Sequence, residues 1–142
     1  MNNNLDHVCL AVKSIEKAAE KICNNLGYKI KTKIVLNTRQ DVFVQFLGKN
    51  GSIDIKLIMP GSLESPLILF LKNKGEGLHH LGFRTDDIEN ALDELKSKGA
   101  LCTLSPEPGE AFCNELIAFS YLGHGLNVEF IDTDKRVFID EY

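Results

Sequence analysis

Along the chain, apolar positions alternate in two spacings, and the order in which those spacings occur is used twice. Asp6 to Val12 alternates as a strand does, with Val8, Leu10 and Val12 on one face and His7, Cys9 and Ala11 on the other. Ser14 then stands as a helix N-cap. Ile15, Ala18, Ala19, Ile22, Cys23 and Leu26 form one helix face, and Gly27 stops it. Tyr28 to Leu36 is predicted as a second strand and Asn37 to Asp41 as a turn. Val42–Leu47 and Ile53–Met59 are two further strands joined by a turn over Gly48 to Gly51. Asp54, Lys56 and Ile58 share one face of the last of these.

Ser65-Pro66 fits an N-cap with proline at the first helical position, so a connector helix is expected over about 65–74. The plan then repeats. A strand over Leu78–Thr85 places His80, Gly82 and Arg84 on one face. A helix over Asp87–Lys98 carries Ile88, Ala91, Leu92 and Leu95 and stops at Gly99. A strand follows near Ala100–Leu104, then a loop over Ser105–Asn114, then strands near Leu116–Tyr121 and Asn127–Ile131. Residues 132–142 form a charged tail that includes Val137, Phe138 and Ile139 and has no evident partner.

The repetition is also visible residue by residue. At an offset of 73, Leu5-Asp6-His7-Val8 matches Leu78-His79-His80-Leu81, and Asp54 to Ile58 matches Asn127 to Ile131. Module one covers about 5–59 and module two about 78–131, within a single domain. Each is a βαβββ unit whose helix covers the apolar side of its sheet. The expected architecture is α+β, an eight-stranded cup made by joining the two units edge to edge. His7 and His80 are equivalents, as are Lys56 and Glu129, so the four should converge on the cup floor. Three of them are able to ligate a metal; Lys56, an ammonium, has no lone pair to offer.

Composition narrows the function. A net charge of -4, a pI near 5.5 and the lack of any Lys/Arg run argue against a nucleic-acid surface. No apolar run approaches the roughly 18 residues of a membrane span, and the first residues do not read as a signal peptide. Cys9, Cys23, Cys102 and Cys113 have no metal-binding spacing and are expected as buried free thiols in a cytoplasmic protein. No phosphate loop or nucleophile elbow is present.

The βαβββ duplication, the Leu78-His79-His80 segment followed by a helix, and the closing Val128-Glu129-Phe130 strand resemble the vicinal-oxygen-chelate (glyoxalase/bleomycin-resistance/dioxygenase) superfamily. The connector Pro60…Ser65-Pro66-Leu67…Phe70-Leu71…Gly75-Glu76-Gly77 is most similar to methylmalonyl-CoA epimerase-like members. The resemblance implies a divalent metal (Co, Ni, Mn or Zn) on His7, His80 and Glu129, with Lys56 where the family has Gln or Glu. It implies an isomerase or lyase that moves a proton alpha to the carbonyl of a CoA thioester or similar small acyl substrate, in a possible homodimer. Glu129 is the candidate proton carrier, since the third-strand stretch Gln40 to Gln45 lacks the family's additional glutamate. Lys56, Arg84 and Gln40 are candidate substrate contacts, and an inward Arg84 calls for an anion such as Asp54, Glu129 or a ligand. The alternative is a metal-free small-molecule binding or resistance protein of the same fold, in which Lys56 pairs with Glu129 in place of a metal.

Overall fold

The computed structural model describes residues 3–133, 135 and 136; Val137, Phe138 and Ile139 lie outside them. The chain runs β1 (Asn4–Ala11), α1 (Ile15–Leu26), β2 (Lys29–Ile30), β3 (Val35–Asn37), β4 (Val42–Gly48), β5 (Asp54–Pro60) and α2 (Pro66–Lys74). It continues through β6 (Gly77–Arg84), α3 (Ile88–Ser97), β7 (Leu101–Gly109), a 3-10 turn (Glu110–Phe112), β8 (Glu115–Tyr121) and β9 (Asn127–Ile131). The strands form a single sheet in the order β2-β4-β5-β1-β6-β9-β8-β7, with β3 also on β4. This order is symmetric about the antiparallel β1–β6 pair, and each of those strands has a parallel partner, β5 or β9, on its outer side. The first strands of the two modules therefore join the halves.

Local chemistry sets the helices. Ser14 accepts from the Lys17 N–H, and Gly27, at φ 74°, takes the left-handed conformation that ends α1. Asp87 caps α3 in the equivalent way, through the Asn90 N–H. Helix α1 buries Ile15 and Ala19 against Leu47 and Leu57, and α3 buries Ile88, Ala91 and Leu92 against Val128 and Phe130. Both helices lie on the same side of the sheet as the apolar face read from the sequence.

Three expectations need correction. The single strand over Tyr28–Leu36 is two short ones, because the Lys31 and Thr32 N–H groups both donate to the Phe46 carbonyl while the Thr32 hydroxyl accepts from Phe46 N. Nine strands result among the described residues instead of eight. The loop expected from Ser105 is strand as far as Gly109, carried past Pro106 by a register shift against β8, with Pro108 back in register opposite Leu116. Finally, the inner side of the curled sheet is packed. Phe46, Ile58, Ile117 and Ile131 meet Leu67 of α2 and Phe112 of the 3-10 turn in a third core cluster. All four cysteines are free, but Cys102 and Cys113 are exposed and only Cys9 is fully buried.

Candidate active site

The repeat brings His7, Lys56, His80 and Glu129 together at the middle of the sheet, on its inner side. Exposure is 0% for His7 and Glu129, 2% for His80 and 3% for Lys56. The Glu129 carboxylate is the hub. Its Oε1 lies 2.9 Å from His7 Nε2, 3.4 Å from His80 Nε2 and 3.1 Å from Lys56 Nζ, and its Oε2 is 3.2 Å from the same ammonium. Burial raises the Glu129 carboxyl, but the Lys56 charge, followed by the two imidazoles, outweighs burial and holds it well below the ordinary value.

The surroundings fix these groups. His7 pairs directly with Gly82 across β1 and β6, and a Cβ on Gly82 would stand 2.0 Å from His7 Cε1. Only a glycine there leaves room for the imidazole. On the other side of the ring, Asp6 Oδ2 lies 2.7 Å from His7 Nδ1. The Asp6 carboxyl is held at about 2: burial raises it, and the His7 hydrogen bond, the Arg136 and His7 charges and the Arg84 hydrogen bond overcome that. Phe46 and Phe112 pack their rings against His7 at 5.6 and 6.1 Å between centroids.

His79 departs from strict alternation. The register against β1 shifts so that Cys9 faces His80 and Leu10 faces Leu78, which leaves His79 as an inserted residue. Its Nδ1 is consequently 2.8 Å from His80 Nδ1, and its ring lies 4.7 Å from that of Phe70 on α2. Burial pushes the His80 imidazole down to about 3 and the His79 imidazole to about 4. Both are therefore neutral at pH 7.

Two other candidates stand apart from the four. Arg84 does not point at the floor: its side chain is 44% exposed at the end of β6, and Nη2 donates to Asp6 Oδ1 at 2.6 Å. The anion it needs is Asp6, because Asp54 is taken by Lys31 at 2.8 Å. Gln40 lies in the turn before β4, where its Oε1 accepts from Asn37 at 3.0 Å and its Nε2 is buried without a hydrogen-bond partner. Asp6, Gly82 and Arg136 complete the site without having been singled out. Asp6 sits next to a candidate ligand and Gly82 opposite one, whereas Arg136 lies in the tail, beyond any repeat.

Donor spacing tests whether a metal fits. His7, His80 and Glu129 each offer one ligand atom, all within 4.8 Å of one another. Their separations of 2.9, 3.4 and 3.4 Å are those of three donors about 2.1 Å from one ion, which stand about 3.0 Å apart at right angles and about 3.4 Å apart in a tetrahedron. The hydrogen bond from Asp6 to the far nitrogen of His7 is the arrangement that orients ligating histidines. Three donors fit; the fourth corner is occupied by an ammonium. Hydrogen-bond accounting makes the same point, since His7 faces a carboxylate at both nitrogens. Either a proton on each nitrogen or a cation beside Nε2 satisfies it.

A curled sheet of two βαβββ halves with its polar groups at their junction defines a class. Residues 6–119 match the model of the Glyoxalase/Bleomycin resistance protein/Dioxygenase superfamily, and the chain belongs to that family. Among individual relatives, it is 35% identical over 114 residues to the ethylmalonyl-CoA/methylmalonyl-CoA epimerase of Cereibacter sphaeroides, covering 76% of this chain and 80% of that one. It is 37% identical over 95 residues to the human mitochondrial methylmalonyl-CoA epimerase, covering 66% of this chain but only about half (53%) of the human one. The crystal structure of methylmalonyl-CoA epimerase from Mycobacterium tuberculosis superposes with a TM-score of 0.79 at 27% identity, over 89% of this chain and 85% of that one. No helix among the described residues is long and apolar enough to cross a membrane.

Proposed function

We propose that this protein is an epimerase-like isomerase that moves the proton alpha to the carbonyl of a small acyl-CoA thioester of the methylmalonyl type. The observation that carries the reading is the two-oxygen contact of Lys56 with Glu129 between the His7 and His80 imidazoles. At rest the carboxylate is a weak base, because the ammonium beside it stabilises its charge. Removing an alpha proton places negative charge on the thioester oxygen, and the Lys56 ammonium is the nearest cation able to meet it. As Lys56 turns to that oxygen, Glu129 loses the strongest influence lowering its proton affinity, and burial then raises it. One movement of the lysine thus provides both the oxyanion donor and the base. The bonds from His7 and His80 hold the carboxylate in place while it takes the proton, and inversion follows when the planar enolate turns its other face to the same carboxyl group before the proton is returned.

His7, His80 and Glu129 would hold a divalent ion, which when bound supplies a Lewis acid for the carbonyl oxygen. The Lys56–Glu129 pair at the fourth ligand position, with no glutamate over Gln40 to Gln45, favours a second reading, a metal-free small-molecule binding protein without turnover. The deciding experiment is exchange of the alpha proton of methylmalonyl-CoA in D₂O, followed by NMR, with EDTA and separately with Co²⁺. We expect exchange at least 10³-fold above the enzyme-free rate, lost in E129Q. A folded parent protein that exchanges nothing under both conditions excludes the isomerase and leaves the binding protein. In parallel, Lys56→Gln removes the ammonium but keeps a hydrogen-bond donor. Tighter Co²⁺ binding by that variant than by the parent shows that Lys56 and a metal compete for one corner.

A further inference from the structure

Adjoining the candidate active site, and sharing Asp6 and Arg136 with it, a cavity of about 500 Å³ opens among Asn4, Asp6, Lys31, Asp54, Arg84 and Arg136. That volume lies within the roughly 300–1,000 Å³ of small-molecule sites. Its walls carry three cations and two carboxylates that pair with one another. Lys31 meets Asp54 at 2.8 Å, Arg84 meets Asp6 at 2.6 Å, and Arg136 Nη2 meets the other Asp6 oxygen. Arg136 is the most deeply buried of the three cations. This guanidinium is 2% exposed at the side chain and stacks over the rings of Phe46 and Phe112, at 4.6 and 4.8 Å from their centroids. Its Nε is 3.6 Å from Asp54 Oδ2, too far for a hydrogen bond, and neither Nε nor Nη1 has a hydrogen-bond partner.

A buried guanidinium with unpaired donors on a cavity wall is incomplete. The planar fork of arginine matches carboxylate and phosphate oxygens, and the carboxylates nearby each also pair with another cation, Asp6 with Arg84 and Asp54 with Lys31. We propose that this cavity is a binding site for an oxyanion group, a carboxylate or a phosphate, with Arg136 Nη1 and Nε as its donors and Arg84 as the cation at its rim. Because Asp6 is shared by Arg136, Arg84 and His7, an anion that draws on the two arginines also alters the support of His7. The site rests on the cavity and the unpaired donors, and not on the proton-transfer reading.

Calorimetric titration tests it without turnover. Malonate, inorganic phosphate and coenzyme A are titrated separately into the parent chain at ionic strength held constant with chloride, with amide NMR shifts locating each ligand. The expected result is saturable binding of one anion per chain, with shifts at Asn4–Asp6 and Ser52–Asp54. Binding of malonate alone identifies a carboxylate ligand; binding of phosphate and coenzyme A identifies a phosphoryl one. R84E and R136Q should each weaken binding at least tenfold. Since R136Q removes a buried partner of Asp6, R84E at the half-exposed rim carries the comparison if R136Q does not fold. No saturable binding of any of the three anions, shifts that map elsewhere, or undiminished binding by folded R84E each overturns the proposal.

Discussion

Replacing Lys56 by methionine keeps most of the side chain's length and apolar stem and removes only its charge. In the parent the ammonium contacts both Glu129 oxygens, at 3.1 and 3.2 Å, in a place closed to water. At an effective dielectric constant near 20, one such contact is worth about 5 kcal/mol before the cost of desolvation. Breaking a buried pair from one side costs about 3–5 kcal/mol, because the remaining charge stays buried. The lower end is expected here, since His7 and His80 still flank the carboxylate. The sign of the pH dependence follows from the same contacts. In the parent Glu129 is depressed, so its stabilisation is present above the ordinary carboxylate range and is lost as the pH falls through the lower folded value. In the variant burial dominates and raises the carboxyl, so lowering the pH toward that range relieves the unpaired charge. Urea denaturation followed by circular dichroism in EDTA should therefore show a loss of about 3 kcal/mol at pH 7.5 that narrows by pH 5. A loss below about 1 kcal/mol, or one that does not change with pH, refutes the reasoning about the ion pair.

Three further outcomes follow from the site. G82A puts a methyl group into the His7 ring and should cost about 1–3 kcal/mol, with loss of alpha-proton exchange, as read by thermal denaturation and the D₂O assay; an unchanged melting temperature contradicts the packing. Asp6 is depressed from 3.8 to about 2, so its contribution, roughly 2 kcal/mol, is fully present above pH 4 and disappears as the pH falls toward 2. D6N should thus flatten the acid limb of the stability curve over that range while lowering stability at neutral pH. His79 and His80 are depressed to about 4 and about 3, so the unfolded chain takes up protons first and stability declines as the pH drops below about 6.5. Their ring resonances should stay in the neutral form down to pH 5 in NMR titrations, and a midpoint near 6.5 for either would show that burial is not in control.

Much of this architecture is legible because each module reuses one pattern. Helices α1 and α3 both begin where a capping residue precedes an isoleucine, 73 residues apart, and β1 and β6 keep the same offset at both ends. The convergence of His7, Lys56, His80 and Glu129 follows from that offset alone. Features that break the pattern were illegible. The inserted His79 disturbs the two-residue period, so alternation predicts the wrong side for it. Thr32 interrupts a strand by using its hydroxyl where a ladder carbonyl would stand, which composition does not reveal. Arg84 was expected inward because period-two counting continues to the strand end, but at that end the side chain is drawn to Asp6. Arg136 follows the last strand and has no counterpart in the other module, so only the three-dimensional arrangement relates it to Asp6.

The equivalence of Lys56 and Glu129 explains why the junction of the two halves is able to close. Two equivalent positions on facing modules bring their side chains together, and two carboxylates there would need a cation from outside the chain. An ammonium opposite a carboxylate neutralises the junction from within, and burial of the four groups is then tolerable without an ion. The same pairing sets the terms of any metal binding. A divalent ion on His7, His80 and Glu129 would sit beside the Lys56 charge in a water-free interior, so binding it requires that Lys56 withdraw or lose its proton. Metal uptake by the parent chain should therefore release more protons than uptake by K56Q, at equal pH and buffer. Calorimetry in buffers of different ionisation enthalpy measures that difference directly. Equal proton release by the two proteins would mean that Lys56 keeps its proton when the metal binds and withdraws from Glu129 instead.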